Sequence, residues 1–463
     1  MLSTRRTLTL LLGLLLCSHL LAVDRFKVEG YPLDNGLQVI LKPTSDRDHV
    51  SIRLVIGVGF DQFDCRHKEL PHLLEHLLFS GIDDSGEAGL EARMQALGGD
   101  WNAYTRDSDT TFVLEVPAGN QRAALDLLLA ALFNTELNDA RIDAARRVIA
   151  HENGERPAAW QRLLGSAASS DDATARLAAE QGLACTGPDD LEQLTADALE
   201  RLRSDWYVAN NMTLIMVGDL DRRLPAYLER RFGDLPPGPM PELRELPEST
   251  GKAEPARTLN NALLGETAKV HLIFAEPWIG ELDHGTWQLL RDYLQWAVYR
   301  DLRIEHGLAY GPSVERSGYG SSSFFSINAE VARDDVEPTL QRLHDLLQRL
   351  ARDGVDPDTV EHLRGVALAR QNWTVQGNSA LADYYWSSLA DYEDGRFADP
   401  AKELRQIHPA QLDAALNLLL KQPSYQRVEQ PLLGTTGLYA SAAGLALLLV
   451  LAVLGLVGLL RRR

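Results

Sequence analysis

The sequence predicts an α+β protein of two homologous domains, each a mainly antiparallel sheet with helices packed on one face, plus an N-terminal signal and a C-terminal transmembrane helix. Three observations carry this. An order of strands and helices runs through the chain twice, a proline- and charge-rich stretch at 236–255 separates the two runs, and each end is apolar. At 463 residues the chain is long enough for two or three domains with sizeable cores.

Residues 1–23, MLSTRRTLTLLLGLLLCSHLLAV, give a short basic start, an apolar run and a small residue, Ala22, before Asp24. That is the pattern of a secretory signal. The body then begins with FKVEGYPLDNGLQVILKP, which alternates apolar and polar residues around a DNG turn and predicts a hairpin. HVSIRLVIGVGF reads as a buried strand, and HLLEHLLFSG and GLEARMQALGG as helices. DWNAYTRDSDTTFVLEVP supplies two more strands, a long helical stretch runs from Gln121 to about Gly154, and MTLIMVGD adds a further strand. The first domain is therefore 24–235, and PPGPMPELRELPESTGKAEP, 236–255, is a linker.

The second domain, 256–430, repeats the order with the strand KVHLIFAEP, the helix GTWQLLRDYLQWAVYRDLRIEHG and the strand–helix SSFFSINAEVARDDVEPTLQRLHDLLQRLARDG. TTFVLEVPAGNQRAALDLLLAALF resembles FFSINAEVARDDVEPTLQRLHDLL, which reads as a duplication. Leu438–Leu460 is uncharged over 23 residues. As a helix it would be about 34 Å long, against a hydrocarbon core of about 30 Å. Arg461, Arg462 and Arg463 follow as a cytoplasmic basic tail, which puts the body on the far side of the membrane. A very apolar core helix, or a sorting tail that is later cleaved, are the alternatives.

The formal net charge is −19, and five arginines lie in the two ends, which leaves the body at −24. Such a surface excludes nucleic acid as a partner. Only Cys65 and Cys185 remain beyond the signal, too few for a tetrahedral cysteine site, and whether they pair is open.

The run HLLEHLLFSG holds the chemistry. On a helix, His72, His76, Glu75 and Phe79 fall at about 0°, 40°, 300° and 340°, and Leu73, Leu74, Leu77 and Leu78 between roughly 100° and 240°. One face is core and the other carries ligands. Imidazoles at i and i+4 reach one metal ion, and Glu75 beside them is placed to take a proton from a water on that metal. His-x-x-Glu-His is the inverted form of a zinc-peptidase motif. Alone, these residues also suit a partly buried, satisfied histidine pair.

Five motifs in register decide between these readings: LDNGLQVIL, HLLEHLLFSG, LGGDWNAYTRDSDTTFVLEV, WYVANNMTLIMVGDLD and RIEHGLAYG. In these the chain, from residue 26 to about 430, resembles the pitrilysin-type inverted zincins, the family of mitochondrial processing peptidase and insulin-degrading enzyme. The resemblance implies one Zn2+ per chain held by His72, His76 and a downstream glutamate. The matching position is Glu152, 76 residues beyond His76, and its neighbour His151 points away. It implies Glu75 as general base in a zinc metalloendopeptidase and makes 24–235 the catalytic domain. Asn102 and Ala103 would bind an extended peptide at an edge strand. Arg303 and Tyr310, seven residues apart, would stabilise the oxyanion from the opposite half of a clamshell. Pro71 stands where the family more often has a small residue, and a first helical turn tolerates it.

Long relatives carry both halves of the chamber, and this chain is the length of one. The expected assembly is a homodimer, with a heterodimer of related chains as the alternative, acting on peptides or small unfolded proteins. The expected place is the bacterial inner membrane, single-pass, with the body periplasmic. The rival is a non-catalytic peptide-binding or assembly subunit of a heterodimeric peptidase.

Overall fold

The first hairpin closes on Gly36, whose φ of 88° is one that side-chain-bearing residues rarely adopt. A Cβ there would also lie 2.8 Å from that of Asn210. The computed structural model describes residues 24–152, 173–185, 191–249, 251–252, 254–277 and 284–461. The expected signal at 1–23 and Arg462 and Arg463 of the tail lie outside them.

The first half contributes β1 (Glu29–Pro32), β2 (Gln38–Pro43), β3 (His49–Ile56), β4 (Asp100–Thr105), β5 (Thr110–Pro117) and β6 (Met212–Gly218). Its helices are α1 (Leu70–Leu78), α2 (Gly86–Ala96), α3 (Gln121–Asn134), α4 (Asp139–Glu152), α5 (Ala173–Glu180), α6 (Ala196–Trp206) and α7 (Leu224–Arg231). The second half contributes β7 (Arg257–Leu264), β8 (Thr267–Ala275), β9 (Ser313–Tyr319), β10 (Ser322–Ala332) and β11 (Ser424–Leu433). Its helices are α8 (His284–Tyr299), α9 (Val336–Asp353), α10 (Pro357–Thr374), α11 (Asn378–Ser387), α12 (Pro400–Gln406) and α13 (Pro409–Leu420), before the terminal α14 (Thr435–Arg461).

One sheet runs β1-β2-β6-β3-β5-β4 and the other β7-β11-β8-β10-β9. Set β1 aside and the two have one topology: β2 to β6 correspond in chain order to β7 to β11. Each is antiparallel except for one pair, β2 with β6 and β7 with β11. The helix α1 follows β3 as α8 follows β8, so the second half has a helix where the first has His72 and His76.

The expectation that helices cover one face of each sheet is corrected. Along β3, Ile52, Leu54 and Ile56 join the core under α1, α3, α4, α6 and α7. Val55 turns the other way, and with Ile40, Ile215 and Val217 it packs on Leu381, Ala382, Tyr385 and Trp386 of α11, from the second half. The exchange is reciprocal, for Ala173, Leu177 and Ala178 of α5 pack on Ile273, Ala275, Phe324 and Tyr425 of the second sheet. Strands buried on both sides carry apolar residues at successive positions, as Leu54, Val55 and Ile56 of β3 and Leu272, Ile273, Phe274 and Ala275 of β8 do.

Polar pairs set the docking of the lent helices. Arg53 on β3, 1% exposed, bonds Asp383 of α11 at 2.8 Å and Glu115 of β5 at 2.9 Å. On the other sheet Arg427 pairs with Glu180 of α5, and Glu429 with Arg176. In each pair with a lent helix one charge is buried on the sheet, and a shifted register is penalised because it would leave that charge inside without its partner.

Cys65 and Cys185 are joined in a disulfide, with Cα atoms 5.4 Å apart. It ties the loop before α1 to the segment after α5 and closes a separation of 120 residues. Losing a closure of that length is expected to cost about 5 kcal/mol by loop entropy. Denaturant titration of the full-length chain in detergent, with and without reductant, should show the midpoint fall on reduction. An unmoved midpoint would mean that the crossing segment holds the loop without the covalent link.

The stretch 236–249 has no helix or strand and passes from the first half, where Asn210 Nδ2 donates to the Gly238 carbonyl at 2.9 Å, to the second, where Ser249 N–H donates to Ser322 Oγ at 2.9 Å. At the C-terminus, residues Gly437–Leu454 of α14 have a mean hydropathy of 2.3 and none of them is buried.

Candidate metal centre

The helix α1 forms because Pro71 occupies its first turn, where a missing N–H costs nothing, and its leucines recur at helical spacing. Leu70, Leu73, Leu74, Leu77 and Leu78 are buried in the first core. That anchoring turns His72 and His76 outward to a half-buried position.

The two histidines meet Glu152, the last residue of α4. His72 Nε2 and His76 Nε2 are 3.1 Å apart, and Glu152 Oε2 lies 3.4 Å from the first and 3.2 Å from the second. A tetrahedron of nitrogen and oxygen ligands at about 2.0–2.1 Å from zinc has edges of roughly 3.3 Å. The three separations bracket that edge, so the donor set fits a zinc ion. His151 is not in the cluster.

Glu75 is 7% exposed and stands outside the trio. Its Oε2 accepts a hydrogen bond from Thr105 Oγ1 at 2.7 Å. Burial pushes its carboxyl above the usual range, against the pull of the Thr105 bond and of the two histidines, and Glu152 adds to the rise. His72 Nδ1 sits 2.9 Å from Glu69 Oε2. Burial disfavours the His72 cation, yet the Glu69 bond and the charges of Glu75, Glu69 and Glu152 leave its pKa raised. Burial likewise raises the Glu69 carboxyl, but the bond to His72 and the charge of Lys68 outweigh it and the net shift is downward.

Neither Glu69 nor Thr105 is among the residues singled out from the sequence. Glu69 had a signal, since it lies three residues before His72 and such residues share a helix face. Thr105 had none, for it arrives through the pairing of β4 with β5.

Among the described residues β4 is an outer strand, paired with β5 and with no other strand on its second edge. Asn102 and Ala103 lie on it. The Ala103 N–H donates to Asn102 Oδ1 at 2.9 Å, and Ala103 is 7% exposed toward the first core. Arg303 and Tyr310 come together with each other and, among the described contacts, not with the histidine cluster. Arg303 lies in a π-type turn, Arg300–Glu305, donates to the Tyr310 carbonyl, and stacks 4.0 Å from the centre of the Tyr310 ring. Asp301, 3% exposed, ties the turn to α9 through Arg349 at 2.8 Å and Arg342 at 3.3 Å. Tyr310 itself is 83% exposed.

Fold and cluster together define an α+β peptidase scaffold with a two-histidine, one-glutamate site. Residues 38–187 match the family described as Insulinase (Peptidase family M16), and 193–365 match the Peptidase M16 inactive domain. The chain belongs to this family, the pitrilysin-type zinc metallopeptidases. It is 28% identical over 199 residues to the probable zinc protease PqqL of Haemophilus influenzae, covering 41% of this chain and 21% of that protein. To the uncharacterized zinc protease YmxG of Bacillus subtilis it is 20% identical over 351 residues, 72% of this chain and 81% of that one. The first half of the periplasmic protease PqqL from Escherichia coli has the same fold, with a TM-score of 0.68 at 20% identity over 87% of this chain and 92% of that one. The match thus spans about a fifth of the length of the Haemophilus protein.

Proposed function

We propose that the chain is a zinc metalloendopeptidase acting on peptides or small unfolded proteins. The observation that carries this is the convergence of His72, His76 and Glu152 within 3.4 Å of one another, with a buried carboxylate, Glu75, beside but outside the trio. His72 and His76 through Nε2 and Glu152 through its carboxylate would hold one Zn2+. When bound, the ion supplies a Lewis acid that makes water acidic enough to ionise near neutral pH.

Glu75 takes the proton from the attacking water as its oxygen adds to the scissile carbonyl, and delivers that proton to the leaving amine as the C–N bond breaks. The Thr105 hydroxyl holds the receiving carboxylate in one orientation. The second edge of β4 pairs with an extended substrate, with Asn102 and Ala103 presenting amide and backbone groups to it. Arg303 and Tyr310 donate to the oxyanion, and because they stand apart from the cluster in one chain, a second copy brings them to it. A homodimer is then self-sufficient.

The disulfide supports an oxidising compartment, and the exposed apolar α14 supports an anchor in the inner membrane with the body periplasmic.

The test is cleavage of a mixed peptide library by the full-length chain in detergent. Activity should disappear with a chelator and return with added Zn2+. A zinc-loaded chain that cuts nothing would favour the rival, a non-catalytic peptide-binding or assembly subunit.

A further inference from the structure

Glu69 precedes the first turn of α1 and is 7% exposed. A carboxylate is seldom found so deep without a partner, and this one has two. Its Oε1 lies 3.6 Å from Lys68 Nζ and its Oε2 is 2.9 Å from His72 Nδ1. An ionised carboxylate only accepts, so the bond to His72 requires the proton to sit on Nδ1. In the neutral ring that leaves the lone pair on Nε2, the atom that faces His76 Nε2 at 3.1 Å and Glu152 Oε2 at 3.4 Å. Proton, ring orientation and ligand atom are set by one contact.

We propose that Glu69 is a positioning residue for the metal centre, its carboxylate holding the Nδ1 proton of His72 and so presenting Nε2 to the ion. The proposal rests on the zinc reading of the His72, His76 and Glu152 cluster. The position is favourable on two further counts. The carboxylate lies at the N-terminus of α1, where the helix dipole favours negative charge. Its location three residues before His72 also puts it on the same helix face, so the bond forms with the helix itself and needs no distant element.

Hydrogen-bond partners of metal-bound histidines typically change metal affinity by about 10–100-fold when removed. Glu69→Leu removes the acceptor at similar volume, and Glu69→Gln keeps an amide oxygen that can still accept, more weakly. The full-length chain in detergent is stripped of metal, and zinc affinity is read by competition with a chromophoric chelator for wild type and both variants. Ring nitrogen shifts of 15N-histidine-labelled, metal-free protein report the His72 tautomer.

The expected result is an affinity falling in the order wild type, Glu69→Gln, Glu69→Leu, by about 10–100-fold in the last. His72 should carry its proton on Nδ1 in wild type and in Glu69→Gln, and should lose that preference in Glu69→Leu. A residue that only supports the fold would lower the metal-free melting temperature and leave tautomer and affinity alone. Wild-type zinc affinity in both variants overturns the role of Glu69 and leaves the metal centre standing. Failure of the wild-type chain to bind zinc overturns both. If Glu69→Leu does not fold, the Glu69→Gln affinity and the wild-type tautomer still decide.

Discussion

Glu75→Gln is expected to lower kcat by about a thousandfold, within the range for loss of a general base, while zinc content stays at the wild-type level. That factor corresponds to about 4 kcal/mol of transition-state stabilisation. Two features make the effect separable from binding. Glutamine has the shape of glutamate and can keep the Thr105 hydrogen bond at 2.7 Å, so the local packing survives. Glu75 also stands outside the trio of donor atoms, so its charge is lost without removing a ligand. The measurement is kcat and KM on a cleaved peptide, with zinc determined in the same samples. A variant that retains zinc and full kcat would remove Glu75 as the base, and one that loses zinc would make Glu75 part of the metal site instead.

The second large effect concerns assembly. Chains carrying Glu75→Gln and chains carrying Arg303→Ala with Tyr310→Phe should each be nearly inactive alone and active when co-expressed. In a two-fold dimer with sites shared across the interface, half of the randomly assorted dimers hold one of each chain. Each such dimer has one intact site, so about a quarter of the wild-type activity should return. The geometry favours this outcome because Arg303 and Tyr310 contact each other but not the His72 cluster, and Tyr310 and Ile304 stand 83% and 65% exposed beside them. Arg303 cannot easily turn back to its own cluster while Asp301 pins the turn to α9. No recovery in a co-expressed, co-purified dimer would sink the shared site and direct the search to a different partner chain.

Much of the candidate site is legible locally. The leucines of α1 and the i, i+4 histidines lie within one short helix, where periodicity alone assigns each residue to the core or to the opposite face. Glu152 was different. It is 76 residues from His76, and nothing in RRVIAHENGER distinguishes a ligand from a solvated glutamate, so only the family resemblance singled it out. Arg303 and Tyr310 were found in the same way, and the sequence pattern carried no information about how far they stand from the histidines.

Residues near one another in the chain suffice to read the strands of the first half, the start of their repetition in the second, the polar face of α1 that carries His72 and His76, and the family; β7, β9, β11 and α10 to α13 were not read from the sequence. Long-range packing settles which helix covers which sheet, with α5 and α11 each crossing to the other half. It also settles that Cys65 meets Cys185 and that Thr105 reaches Glu75. An alternating strand pattern tells that a face is buried and not by what. The apolar faces of α5 and α11 would satisfy either sheet, and the choice is made by long-range packing and by the partners that buried arginines find on the lent helices, as Arg53 finds Asp383.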